Sequence, residues 1–351
     1  MGILDWLFGG NDEETGTAVD PAVIEQRIGQ VVTMVDPRLK LVSGYQRKLA
    51  PAVKQAVLYC RELEAQIPAV IETSAGTWSK SPVLRALFAT AQDIPAVFSR
   101  STEVQDFFAD TPGADETWAM LSFVRKEEKG FGVAVHGEVV QHDVPRTSVS
   151  FGDTTAVFPC AGEHDARLGI RRRAFKYLVT QAVEEIASAE TQRADLREQH
   201  SMLKTRLAIL KGQRAGLEAM LGNGEGTSDQ IEEVERKLAE NEQSLERFPR
   251  VGKTLEHALG RVRSVLTHGP DYLQVRAVRL WLDQMNVVVP KGSAEPVNDL
   301  VLPEVLVKGT PVIHLLACRF PRSELIQRQQ LLAEAQRLLG GGQSVGQSAM
   351  W

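Results

Sequence analysis

The sequence predicts an α+β protein: a helical N-terminal region and a small antiparallel or mixed sheet formed by two sequence-separated strand groups, with an inserted long antiparallel coiled-coil helical hairpin. Three observations carry this. Leu196, Leu203, Leu210 and Leu217 are seven residues apart, and Leu207 and Leu221 interleave with them at steps of four and three. Gly222-Asn223-Gly224-Glu225-Gly226 breaks the repeat, after which Ile231, Val234, Leu238, Leu245 and Phe248 open a second register. Strand-like sequence occurs on both sides of this region. Alternating three- and four-residue spacing makes a narrow apolar stripe that needs a partner stripe, and the glycine joint lets the chain supply its own.

Ahead of the helices, Ile3, Leu4, Trp6, Leu7 and Phe8 form an apolar tip, separated from the body by an acidic, glycine-bearing linker carrying Asp12, Glu13 and Glu14. A hydrophobic tip on a tether (residues 1–19) can dock on a partner groove or a membrane surface, although its acids disfavour anionic lipid. It carries no basic n-region, and position 6 is Trp6 where a myristoylation pattern needs Ser or Thr.

Residues 20–128 read as helical. Asp20-Pro21, Asp36-Pro37 and Ser81-Pro82 each put a capping side chain before a proline at the first helical position. Ile24, Ile28, Val31 and Val35 form one stripe. Val53, Val57, Cys60, Leu63 and Ile67 form another, with Pro51 bending or breaking the helix before it. Shorter helices are expected over Val83–Ala91, Glu103–Ala109 and Glu116–Lys126. The first strand group, 129–164, reads as two hairpins, one turning at His136-Gly137 and one at Gly152-Asp153. The arm spans 165–267, with its tip at 222–228 and a kink or restart at Pro249. A rival arrangement pairs each long helix with a second copy in parallel. The second strand group (Val287–Val289, Glu304–Val307, Val312–Cys318) and a helix over Glu324–Leu339 fill 268–339. A polar tail ending in Trp351 completes the chain.

The chain has 351 residues, 24% of them charged and 43% hydrophobic, which are globular values that exclude global disorder. Three cysteines with no CxxC pair fit a reducing compartment, and the expected location is cytoplasmic. No apolar run approaches the ~18 residues of a membrane span. The net charge of -5 disfavours a dedicated nucleic-acid binder.

Candidate chemistry is sparse. His136, His142, Cys160 and His164 supply zinc-ligand types, but only the last two are closely spaced. Gly252-Lys253-Thr254 resembles the end of a phosphate loop, yet Arg247 occupies the position of its first glycine. Arg171, Arg172 and Arg173, with Arg167 and Lys176, form a basic cluster at the root of the arm, to which Arg261, Arg263, Arg276 and Arg279 add charge. It suits a phosphate or an acidic partner; salt-bridging on a solvated face is the competing reading. No standard catalytic signature is present and no cofactor is implied. The reading is a non-catalytic interaction or scaffold protein docking protein partners through the arm (Leu210, Leu217, Leu221), the tip (Trp6, Leu7, Phe8), Arg171–Arg173 and Trp351, and compatible with a homodimer. A metal-dependent protein and a nucleic-acid-associated protein are the alternatives.

Overall fold

The computed structural model describes residues 19–136, 139–221, 225–248, 254–290, 297–328 and 330, with side chains left out for 133–142, 216–221 and 225–227. The chain divides into two compact units, each drawn from two stretches: Met1–Ala56 with Lys176–Gly269, and Val57–Phe175 with Pro270–Trp351. The architecture is α+β. No helix among the described residues is long and apolar enough to cross a membrane.

The helices of the first unit start where the caps say they should. Asp20 accepts the Ala22 N–H at 2.9 Å and opens α1, Pro21–Val35. Asp36 accepts the Arg38 N–H at 2.8 Å and opens a 3₁₀ turn, Pro37–Leu41. Helix α2 runs Tyr45–Ala65 and passes through Pro51 without ending, so proline is absorbed there and does not break the helix. The long helix, numbered α6 below, runs Glu163–Leu221 and reaches about 90 Å at 1.5 Å per residue. Helix α7, Glu225–Glu246, follows it, and α8, Thr254–Thr267, buries Ala258, Leu259, Val262, Val265 and Leu266.

The second unit contains β1 (Ile71–Glu72), α3 (Pro82–Leu87), α4 (Asp93–Arg100), α5 (Thr102–Asp110), β2 (Glu116–His136) and β3 (Val139–Cys160), then β4 (Leu273–Leu282), β5 (Asn298–Val307) and β6 (Ile313–Pro321). Ser81 and Ser101 cap α3 and α5 through the amides of Leu84 and Val104. Strand order is β3-β2-β6-β5-β4, antiparallel throughout, with β1 added parallel to β6. Both sequence-separated strand groups therefore share one sheet.

Four expectations are corrected. Residues 116–126 are strand, because Ala119, Leu121 and Phe123 enter one core and Met120 another. A strand buried on both faces loses the period-2 signature. The expected second hairpin is a single strand: Gly152-Asp153 lies at a register shift opposite Ser122 and Val124, and Asp153 takes φ 53°. A turn-type dipeptide here makes a bulge. Strand β4 was not expected at all, since Arg276 and Arg279 interrupt its apolar pattern. Val287–Val289 forms only isolated bridges, to Ser148 of β3 and Leu282 of β4.

Those bridges have a structural consequence. Val288 donates to the Thr147 carbonyl and Val289 to that of Trp281, each near 2.9 Å, so this one segment joins the two opposite edges of the sheet. The sheet thus curls and its edges are covered. Its inner face packs on α3–α5, with the Phe98 and Phe320 rings stacked at 4.4 Å. Its outer face carries Met120, Ala317 and Val275 against Ile67 and Ile170.

Candidate functional site

In the first unit, α6 and α7 bury one narrow stripe each. Along α6, Arg193, Leu196, His200, Leu203 and Leu207 are half-buried and Leu210 is buried, while the residues between them are exposed. Along α7 the covered positions are Ile231, Val234, Leu238, Asn241 and Leu245. Leu210, Ile231 and Val234 pack together, joined by Leu203 and Leu207. Lys211 meets Glu235 at 2.8 Å and His200 meets Glu242 at 3.0 Å. Partner numbers fall along α7 as they rise along α6, so the two helices run in opposite directions where they touch. Leu217 and Leu221 lie in the last turns of α6, and their side chains are outside the described set. Truncating Leu210 to alanine is expected to cost about 2 kcal/mol, with strong coupling to Ile231→Ala in a double-mutant cycle read by thermal unfolding. Additive single effects would mean that the two side chains do not share a seam.

The two outer faces of this pair differ. On α7 the surface opposite the stripe carries Glu232, Glu233, Arg236 and Glu240, with Arg236 bonded to both neighbouring acids. On α6 the corresponding surface is Ser201, Met202, Thr205, Ala208, Ile209, Gly212 and Ala215, all exposed and none charged. Met202 and Ile209 are 62% and 55% exposed. Lys204, Arg206 and Lys211 flank this surface.

In the second unit, the arginine cluster is largely occupied. Glu64, 5% exposed, receives Arg167 at 2.6 Å and Arg171 at 2.9 Å. Burial pushes the Glu64 carboxyl up, but the two guanidiniums outweigh it and hold the group below the usual carboxylate range. Arg173 lies 3.5 Å from the centre of the Phe158 ring. Phe158 has φ 61°, and its N–H is held by Glu103 at 2.7 Å, so a left-handed residue is fixed from two sides. Arg172 is half-buried. Arg276 pairs with Glu304 and Arg279 with Asp299. Within the cluster, Arg167, Arg171, Arg276 and Arg279 are paired with carboxylates from α2, β5 and the first turn of α6, as the salt-bridging reading expects of them.

The sheet also holds a buried polar row that the sequence did not reveal. Phe123 (β2), His314 (β6), Glu304 (β5) and Arg276 (β4) are successive cross-strand partners. Glu304 is 2% exposed and sits between Arg125 at 3.1 Å and Arg276 at 2.8 Å, with His314 Nε2 3.6 Å away. The His314 ring stacks on Phe123, and neither of its nitrogens has a hydrogen-bond partner among the described residues. Strands β5 and β6 pair at only two positions, Glu304–His314 and Val305–Ile313, so the row crosses the narrowest seam of the sheet. Its only sequence signal is a charged or polar residue where alternation demands an apolar one, as at Glu304 after Leu300 and Leu302.

Burial, and then Arg125, lower the His314 pKa; Glu304 opposes them. A histidine depressed in the folded state binds fewer protons than in the unfolded chain, so stability rises with pH across the window between the two values. The contribution is complete above the unfolded value of about 6.5 and is lost as pH falls toward the lower folded one. Urea midpoints at pH 7.5 and 5.5 are expected to differ more for the wild type than for His314→Gln. Equal differences would remove His314 from the account.

Of the residues singled out as metal ligands, only Cys160 and His164 have described side chains. His164 is exposed. The Cys160 thiol donates to the Trp118 and Gly162 carbonyls at 3.2 and 3.5 Å, and burial pushes it up to about 11, which favours the thiol over the metal-binding thiolate. The side chains of His136 and His142 lie outside the described set, as do Trp6, Leu7, Phe8, Trp351, Gly252-Lys253, and 329 and 331–339 of the expected helix over 324–339; that helix does not begin at Glu324, which closes a 3₁₀ turn, Arg322–Glu324, followed by extended Leu325. Among the described residues, no group of three or more His, Cys, Asp or Glu could hold a metal ion. Comparison with known proteins finds no matching family model, curated protein or solved structure.

Proposed function

We propose that this chain is a non-catalytic interaction protein in which α6 and α7 form an antiparallel coiled-coil hairpin that docks protein partners. The observation that carries the reading is the unequal outer faces of the helix pair: a charged surface on α7 beside an uncharged one with exposed Met202 and Ile209 on α6. A helix that only faced water would be charged there, and apolar surface outside a satisfied seam marks contact with another molecule. Covered positions at three- and four-residue spacing on both helices, with Lys211–Glu235 and His200–Glu242 at their edges, support the coiled-coil assignment. Asn241, a buried polar residue in the stripe, would set its register at some cost in stability.

Replacing Lys211–Ile231 by a short linker tests the proposal. Partners recovered by affinity capture with the full chain are expected to be lost with the shortened one, whose sheet unit still unfolds cooperatively. Recovery of the same partners in equal yield would refute a docking role for the arm.

A further inference from the structure

The uncharged face of α6 has a matching segment in the same chain. We propose that Ile3–Phe8 docks on the α6 surface formed by Met202, Thr205, Ala208, Ile209 and Gly212, covering it until a partner displaces it. This rests on the docking-arm reading and names what occupies the arm in the free protein.

Three observations favour this occupant. The first is apolar complementarity: Ile3, Leu4, Trp6, Leu7 and Phe8 offer large side chains, and the α6 surface offers Met202 and Ile209 separated by small residues that leave room between them. Large groups entering shallow gaps on a helix face is how amphipathic segments are held. The second is charge. The first basic residue of the chain is Arg27, and before it come Asp5, Asp12, Glu13, Glu14, Asp20 and Glu25. The α6 surface is edged by Lys204 and Arg206, and by Lys211, which Glu235 already pairs, so a segment whose only charges are acidic meets a basic rim. A second copy of α6 would instead bring the same basic rim against itself, and the α7 outer face, rich in glutamate, would repel the segment.

The third is reach. Helix α1 and the distal part of α6 belong to the same compact unit. The 3₁₀ turn after α1 packs against α8, and α8 in turn lies on α6 beside Glu190, where His257 and Arg261 line one cleft with Ile186, Glu190 and Arg193. From Glu190, Met202 lies about 18 Å along the helix, and α1 itself is about 22 Å long. The linker from Gly9 to Asp20 spans up to roughly 40 Å when extended, about the sum of these two distances, which is the path for the least favourable placement of the start of α1. Because the segment is tethered, even weak contacts are favoured by a high effective concentration.

The test uses the full chain with a photo-crosslinking phenylalanine analogue in place of Met202, and separately in place of Lys211 or Arg236. Peptide mapping is expected to show the Met202 probe joined to the Met1–Gly10 region, with the adduct lost in a Trp6→Asp, Leu7→Asp double variant and weakened by high salt. The Arg236 probe on α7 should not form it. The Lys211 probe should join the Glu235 region, which reports the helix pair independently. If the Lys211 adduct forms and the Met202 adduct with the N-terminal region does not, the segment does not dock there, although the helix pair stands. Loss of the Lys211 adduct would overturn the hairpin, and the docking proposal with it. Mixing isotopically light and heavy chains settles the remaining alternative: adducts joining light to heavy chains would mean that a second copy supplies the segment, overturning docking within one chain.

Discussion

Glu304→Ala is expected to destabilise the sheet-containing unit by about 3–5 kcal/mol. The carboxylate is 2% exposed and receives two guanidiniums, and Arg125 already carries a buried nitrogen, Nη1, without a hydrogen-bond partner among the described residues. Removing the acid would leave Arg125 with only Glu127, a longer and more exposed contact at 3.4 Å, beside the unpartnered His314 ring. Arg276, 60% exposed, can turn to water and would contribute little to the loss. Glu304→Gln should cost less, since an amide oxygen still accepts one of the two bonds. The seam location adds a structural expectation: amides of Val305 and Ile313 should exchange faster in Glu304→Ala than those in the long β2–β6 and β4–β5 ladders. Urea unfolding followed by tryptophan emission and native-state hydrogen exchange check both. A loss below about 1 kcal/mol would mean that water reaches the row and that its charges are solvated.

Phe320→Ala is expected to cost a comparable amount, about 3–5 kcal/mol, for a different reason. Phe320 is fully buried at the end of β6, stacks on Phe98 of α4, and belongs to the apolar cluster that joins α3–α5 to the inner face. Truncation leaves a cavity in a region closed on several sides, and the stacked partner loses its contact as well. Calorimetry should show a lower midpoint for the sheet-containing unit. If the α6–α7 pair melts separately, its transition should be unmoved. The contrast with Glu304→Ala is informative: the core truncation should be indifferent to salt and pH, whereas the ionic one should depend on both.

Much of the helical part of this protein was legible in the chain. Asp20, Asp36, Ser81 and the prolines behind them start the elements they were expected to start, because capping is chemistry between neighbours in sequence. The leucine stripe of α6 is covered at Leu196, Leu203, Leu207 and Leu210 for the same reason: a period near 3.5 is a property of one helix, readable before its partner is known. The Lys308–Pro311 joint between β5 and β6 was also visible, with Gly309 at φ 79°. The candidate site was only half legible. Met202 and Ile209 are plain in the sequence, but their significance depends on Leu203, Leu207 and Leu210 facing α7 and leaving the opposite surface uncovered among the described residues.

What sequence could not supply is everything decided by elements distant in the chain. Residues 116–126 are a strand because cores form on both of their faces, and the Gly152-Asp153 dipeptide makes a bulge because β2 continues opposite it. Arg171 and Arg167 are neutralised by Glu64, about a hundred positions away, and His314 meets Phe123 and Glu304 only through strand register. Local periodicity and capping report energies between near neighbours, so the sequence by itself determined the helix starts, the seven-residue stripe and the α+β class. Burial on a second face, charge pairing and the curl of the sheet are energies between segments with no common local pattern, and only the tertiary structure decided them.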